Sequence, residues 1–132
     1  MRTFDSATSA FGRAGPIEVA RWEQYQLGDR LPFDAMWYTV PPGASSERDC
    51  HPEPEFSIVV AGSGFVETAG RLTEVATGTA FLLGSEEAHV IHNRATEVPL
   101  TIFSAYWMPP ETGQQDAAET GREPVASAGQ SG

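Results

Sequence analysis

The chain is cut at short intervals by turn residues. Gly28-Asp29, Pro41-Pro42-Gly43, Ala61-Gly62-Ser63-Gly64, Ala69-Gly70, Ala76-Thr77-Gly78 and Gly84-Ser85 follow one another with only brief apolar or alternating runs between them. Glycine adopts positive φ without a steric penalty and proline presets one backbone angle, so such clusters read as turns. The intervening runs are rich in Val, Ile, Phe, Tyr, Trp and Thr, which favour strands. Strands are predicted over residues 17–27, 33–40, 56–60, 65–68, 72–75, 79–83 and 100–108, with a short helix over the first half of 17–27 as an alternative. The segment 61–64 reads as a tight hairpin, and 84–87 as a loop that delivers His89. The chain is therefore expected to be all-β, an antiparallel sandwich or barrel.

Its 132 residues suffice for one core and not for two. Residues 1–16 read as an N-terminal arm pinned by Phe4 and Phe11, residues 17–110 as the barrel, and residues 111–132 as a flexible tail. The tail has Val125 as its only large aliphatic side chain and cannot offset its ordering entropy.

The net charge of −10, with all eight basic residues arginine, excludes a nucleic-acid footprint and adhesion to anionic membranes. The absence of lysine removes Schiff-base chemistry. Cys50 is the sole cysteine, so no internal disulfide forms and a cytoplasmic, reducing compartment is expected. Its place between Asp49 and His51 leaves open either packing or thiol chemistry beside a metal.

One segment concentrates metal-ligand chemistry. Asp49-Cys50-His51-Pro52-Glu53-Pro54-Glu55 offers an imidazole among carboxylates, the donors a divalent cation takes, on a path stiffened by two prolines. His89 follows further on. The plain alternative makes His51 and His89 core or rim histidines, but a buried Glu55 opening an apolar strand needs a partner. Asp49 and Glu53 are the candidate catalytic carboxylates, Glu53 being otherwise a solvated loop residue. His92 has the wrong parity to share a face with His89 and is expected outside, while Asn93 is expected to anchor a turn. Gly62-Ser63-Gly64 lacks the arrangement of a nucleophile elbow. Trp37, Phe81, Tyr106 and Trp107 are candidates to line a ligand pocket in a barrel this small.

The spacing of these residues resembles the cupin family, whose two motifs are Gly-(x)5-His-x-His-(x)3,4-Glu-(x)6-Gly and Gly-(x)5-Pro-x-Gly-(x)2-His-(x)3-Asn. Here they read Gly43-(x)5-Asp49-x-His51-(x)3-Glu55-(x)6-Gly62 and Gly78-(x)5-Gly84-x-Glu86-(x)2-His89-(x)3-Asn93. Asp49 replaces the first histidine, and Gly84 and Glu86 replace the proline and glycine of the second motif. The resemblance implies a jelly-roll barrel holding one divalent metal through His51, Glu55 and His89, with Asp49 as a fourth ligand or general base. Zinc or iron ranks first, with manganese and nickel as further options.

Similar small cupins are commonly homodimers, and residues 17–27 are expected to add to a partner's sheet. The resemblance implies a metal-dependent enzyme acting on a small organic molecule: an oxygenase, isomerase, lyase or bond-forming catalyst. An altered ligand set on a free-standing barrel looks like the accessory cupins of natural-product pathways. The proline-spaced acidic segment is loosely similar to the zinc cupin modules of hydrazine-forming enzymes. The alternative is a non-catalytic cupin that binds a small ligand or a metal. A purely structural dimerisation barrel would leave the carboxylates around His51 without a role.

Overall fold

The structure is a computed structural model and describes residues 1–110, so the expected tail over 111–132 lies outside the described residues. Among the described residues nine strands form two antiparallel sheets: β1 (Gly12–Ala14), β2 (Ile17–Arg21), β3 (Asp34–Val40), β4 (Glu55–Ala61), β5 (Ser63–Thr68), β6 (Arg71–Ala76), β7 (Ala80–Leu83), β8 (His89–His92) and β9 (Leu100–Tyr106). One sheet has the order β1-β2-β3-β9-β4-β7 and the other β6-β5-β8. The all-β expectation holds. Among the described residues only short 3₁₀ turns interrupt the strands, and no helix is long and apolar enough to cross a membrane.

The core lies between the sheets. Tyr38 and Val40 of β3, Val59 of β4, Val66 of β5, Val75 of β6, Leu83 of β7, Ile91 of β8, and Leu100 and Ile102 of β9 form one buried cluster. Alternation along each strand places these residues inward, and each buried aliphatic side chain contributes about 1.5–3 kcal/mol. Glu55, Ser57 and Val59 are the buried positions of β4, whereas Phe56 and Val60 face out.

Three local expectations differ from the structure. The segment after Arg21 leaves the extended conformation and forms a 3₁₀ turn over Trp22–Tyr25, so the helical part is the second half of 17–27 rather than the first. That turn packs Trp22 against Phe4, Trp37 and Phe103, replacing strand pairing with aromatic burial. β2 is flanked by β1 and β3, so the free edge on this side belongs to β1, within the expected arm.

The segment 61–64 is not a hairpin, because β4 pairs with β9 and β7 while β5 pairs with β6 and β8. A register shift between Val59 and Ala61 bends the end of β4, and the chain then crosses from one sheet to the other. Gly62 takes φ +85°, and a Cβ there would meet the Pro99 carbonyl oxygen. A Cβ on Gly64 would meet the His92 carbonyl oxygen and Leu100. Both glycines permit backbone contact at this corner.

Candidate metal centre

The stretch before β4 belongs to no long strand, yet it is laced to β8 by its backbone. Ser46 N–H donates to the Ile91 carbonyl (2.8 Å), and Asn93 N–H donates to the Ala44 carbonyl (2.9 Å). Asp49 and His89 exchange hydrogen bonds as an isolated antiparallel bridge. Glu86 N–H donates to the His51 carbonyl at 2.7 Å, joining the second motif to the first. Glu86 does so at φ +60°, the left-handed conformation. The family pattern has glycine at this position, so the glycine has gone while its backbone geometry remains.

Asp49, His51 and His89 come together, with one ligand atom from each lying within 4.8 Å of the others. The two imidazoles are aimed in the same way. His51 Nδ1–H donates to the Glu53 carbonyl and His89 Nδ1–H to the Glu87 carbonyl, both at 2.9 Å. A carbonyl oxygen can only accept, so Nδ1 carries a proton, and in the neutral imidazole Nε2 is the atom with the lone pair. The rings stand edge to face with centroids 5.5 Å apart. Asp49 Oδ1 accepts from the Cys50 N–H at 2.9 Å, leaving Oδ2 toward His51 Nε2 at 3.7 Å.

Two imidazole nitrogens and a carboxylate are a donor set for zinc or non-haem iron with positions left open. Metal–ligand bonds of about 2.0–2.2 Å bring donors closer together than they stand here, and the exposed Asp49 side chain is free to draw in. The residues fit a divalent ion.

Glu55 sits beside this cluster rather than within it. Its side chain is buried, and Oε1 lies 3.3 Å from His51 Nε2. Glu53 lies behind the ring, with Oε1 3.6 Å from Nδ1 and its side chain one-third exposed. Cys50 is exposed, with Sγ against the Glu86 backbone oxygen and carboxylate, apart from the three-residue cluster. His92 donates or accepts at Ser45 and Glu67 and keeps away from the cluster, as its parity requires. Asn93 donates to the Val40 and Val98 carbonyls and accepts from the Ala95 N–H, anchoring the turn after β8.

Two adjoining cavities open onto the cluster. The larger, about 260 Å³, reaches Asp49, Glu55 and His89 past Met36, Tyr38 and Ile91. The smaller, about 200 Å³, is lined by Arg21, Met36, Asp49, His51, Glu53, Glu55 and Tyr106. Of the expected pocket aromatics, Tyr106 is therefore at the site. Trp37 is not, because Met36 and Tyr38 take the inward face of β3. Trp37 packs outward on Trp22 and Phe103 and donates to the Tyr25 hydroxyl. Phe81 packs against the barrel core, and Trp107, half-buried after β9, lines neither cavity.

Arg21 is the site residue that sequence reasoning missed, while Tyr38, one of the chain's core aromatics, also reaches the site. Tyr38 is buried, and desolvation first, then the Glu55 charge, pushes its hydroxyl well above the ordinary tyrosine range, so it stays protonated. Beneath it Ser57 and Ser104 share a buried hydrogen bond of 2.6 Å. The sequence signal for Arg21 is the alternation Ile17, Val19, Arg21, which carries a guanidinium onto the face of β2 shared by two aliphatic residues.

The comparisons agree with this architecture. The family model for the cupin domain, Cupin_2, matches residues 36–106. The chain belongs to the cupin family. Among solved structures, the plu4264 protein from Photorhabdus luminescens is 20% identical with a TM-score of 0.70, covering 91% of this chain and 94% of its own. A cupin 2 conserved barrel domain protein from Salinispora arenicola is 22% identical with a TM-score of 0.64, covering 91% and 95%. The polyketide cyclase RemF from Streptomyces resistomycificus is 18% identical with a TM-score of 0.68, covering 83% and 82%. At these identities the likeness shows the fold alone. No curated protein matches the chain.

Proposed function

We propose that this cupin is a mononuclear metalloenzyme acting on a small organic molecule inside the barrel, in a tailoring step of secondary metabolism. The observation that carries the reading is the pair of imidazoles whose Nδ1 atoms are held by backbone carbonyls beside Asp49, His89 lining a cavity of about 260 Å³ and His51 an adjoining one of about 200 Å³. The similarity to a polyketide cyclase supports the choice of substrate class.

Asp49, His51 and His89 would hold the ion, zinc or iron by donor type. Bound there, it would supply a Lewis acid at the cavity wall. Glu55, buried and facing His51, holds or takes a proton at Oε1, while Tyr38 presents a protonated hydroxyl. Met36 and Ile91 exclude water from one flank. Asp49, expected as ligand or base, is assigned here as a ligand, and the base role passes to Glu55. Glu53 orients His51 through its backbone carbonyl.

The 3.3 Å approach of Glu55 to His51 favours a second reading, in which Glu55 closes the coordination sphere and the barrel is a non-catalytic binder. Metal analysis of protein purified without added metal tests both. About one equivalent in wild type, lost in His51→Ala/His89→Ala and kept in Glu55→Gln, supports the enzyme reading. Loss in Glu55→Gln as well supports the closed site. A folded wild-type barrel that takes up no metal overturns both.

A further inference from the structure

On one face of β2, Ile17 and Val19 are followed by Arg21, and all three line the larger cavity. Arg21 also lines the smaller cavity and joins the two. Arg21 is the exposed end of this row. Among the described residues the four ion pairs all involve histidine, and Arg21 is in none of them. Its partner is instead the Tyr106 hydroxyl oxygen, which accepts from Nη1 at 3.2 Å. That contact uses one of five guanidinium N–H groups and leaves the phenolic O–H free to donate. Tyr106 itself stays protonated, because desolvation outweighs the opposing effect of Arg21.

Arg21 and Tyr106 thus form a pair of donors in which, among the described residues, Arg21 makes no ion pair with a carboxylate, although the charges of Glu23 and Asp34 act on Tyr106. They stand at the wall of the smaller cavity, which also contains Asp49, His51 and Glu55. Glu53 lines the same cavity. Arg48 adds a second guanidinium to the larger cavity.

We propose that Arg21 and Tyr106 are the specificity-determining residues of this site and that its substrate carries a carboxylate, which they bind by charge-assisted hydrogen bonds. The inference rests on the metalloenzyme reading for the position of the reacting end of the substrate. The acid group would be gripped at the β2–β9 wall while the remainder extends toward the three-residue cluster.

The test uses metal-loaded wild type, Arg21→Gln and Arg21→Lys, titrated calorimetrically with benzoate, salicylate and pyruvate, each against its neutral amide. Wild type is expected to prefer at least one acid over its amide by about tenfold or more, as a hydrogen bond to a charged group confers. Arg21→Gln should abolish the preference, and Arg21→Lys should keep part of it, with metal content unchanged in both. No preference in any pair overturns the proposal, and so does a preference that survives in Arg21→Gln, since the metal would then hold the acid. Failure of the metalloenzyme reading registers separately, as absence of metal from wild type.

Discussion

Asp49 and His89 face each other across a bridge in which the N–H of each donates to the carbonyl of the other, both at 3.0 Å. Two motifs far apart in sequence are tied by their backbones at the residues whose side chains converge. Ligand placement therefore depends on barrel closure rather than on the local path of either loop.

Asp49 should be the carboxylate on which metal affinity depends. Asp49→Ala is expected to weaken binding by more than the roughly 10–100-fold that follows loss of a group supporting a ligand. Glu55→Gln should stay within a few-fold of wild type, because Glu55 lies outside the cluster. Competition titration with a zinc chelator reads both variants, and the reverse ranking would sink the assignment.

Glu86 holds φ +60° without being glycine. A side chain in that conformation costs about 1–2 kcal/mol, offset in part by the larger chain entropy that glycine loses on folding. Glu86→Gly is therefore expected to stabilise the barrel by about 0.5–1 kcal/mol, measured as a higher urea midpoint. A lower midpoint would mean that the Cys50–Glu86 contact outweighs the backbone strain.

The corner between the sheets should tolerate no side chain. Gly62→Ala and Gly64→Ala each drive a Cβ into backbone carbonyl oxygen. Each is expected to cost about 1–3 kcal/mol, through overpacking and, at Gly62, positive φ. Gly43→Ala, with positive φ but open space around it, serves as the strain-only control and should lose less. Equal losses at all three positions would contradict the account.

Tyr38 gives stability an alkaline limit. Its folded value lies well above the ordinary 10.0. Above pH 10 the unfolded chain releases this proton while the folded chain keeps it, so the stabilisation present below that pH is lost as pH rises toward the folded value. The slope per proton reaches about 1.4 kcal/mol per pH unit. Wild-type stability should fall from pH 9.5 to about 11, and Tyr38→Phe should fall less steeply. Parallel slopes in urea titrations at the two pH values would refute the assignment.

Most strand positions were legible because they depend on local signals, whereas β1 was read as part of the arm and β8 was not read as a strand. The turn at Ala69-Gly70 lies where both residues take positive φ, and the motif spacing located Asp49, His51 and His89. Sheet membership was not legible. Ala61-Gly62-Ser63-Gly64 has hairpin chemistry, but whether a chain reverses within a sheet or crosses to another depends on partners such as Pro99 and His92.

Facing was the other obscure property. β3 is largely buried on both sides, so its alternation cannot tell which face meets the cavity. Aromatic identity pointed to Trp37, whereas Met36 and Tyr38 occupy that face. Glu55 was given a ligand role by its place in the motif. The structure groups Asp49 with both imidazoles through its bridge to β8, while buried Glu55 lies nearer to His51 Nε2, at 3.3 Å against 3.7 Å for Asp49.

Both imidazoles are oriented by main-chain carbonyls, those of Glu53 and Glu87. Every amino acid supplies that acceptor, so the side chains at these two positions can drift without turning either ring. Mutations accumulating there can reshape the charge around the opening while the donor atoms stay in place. A lineage built on this barrel can change what it accepts before it changes what it coordinates.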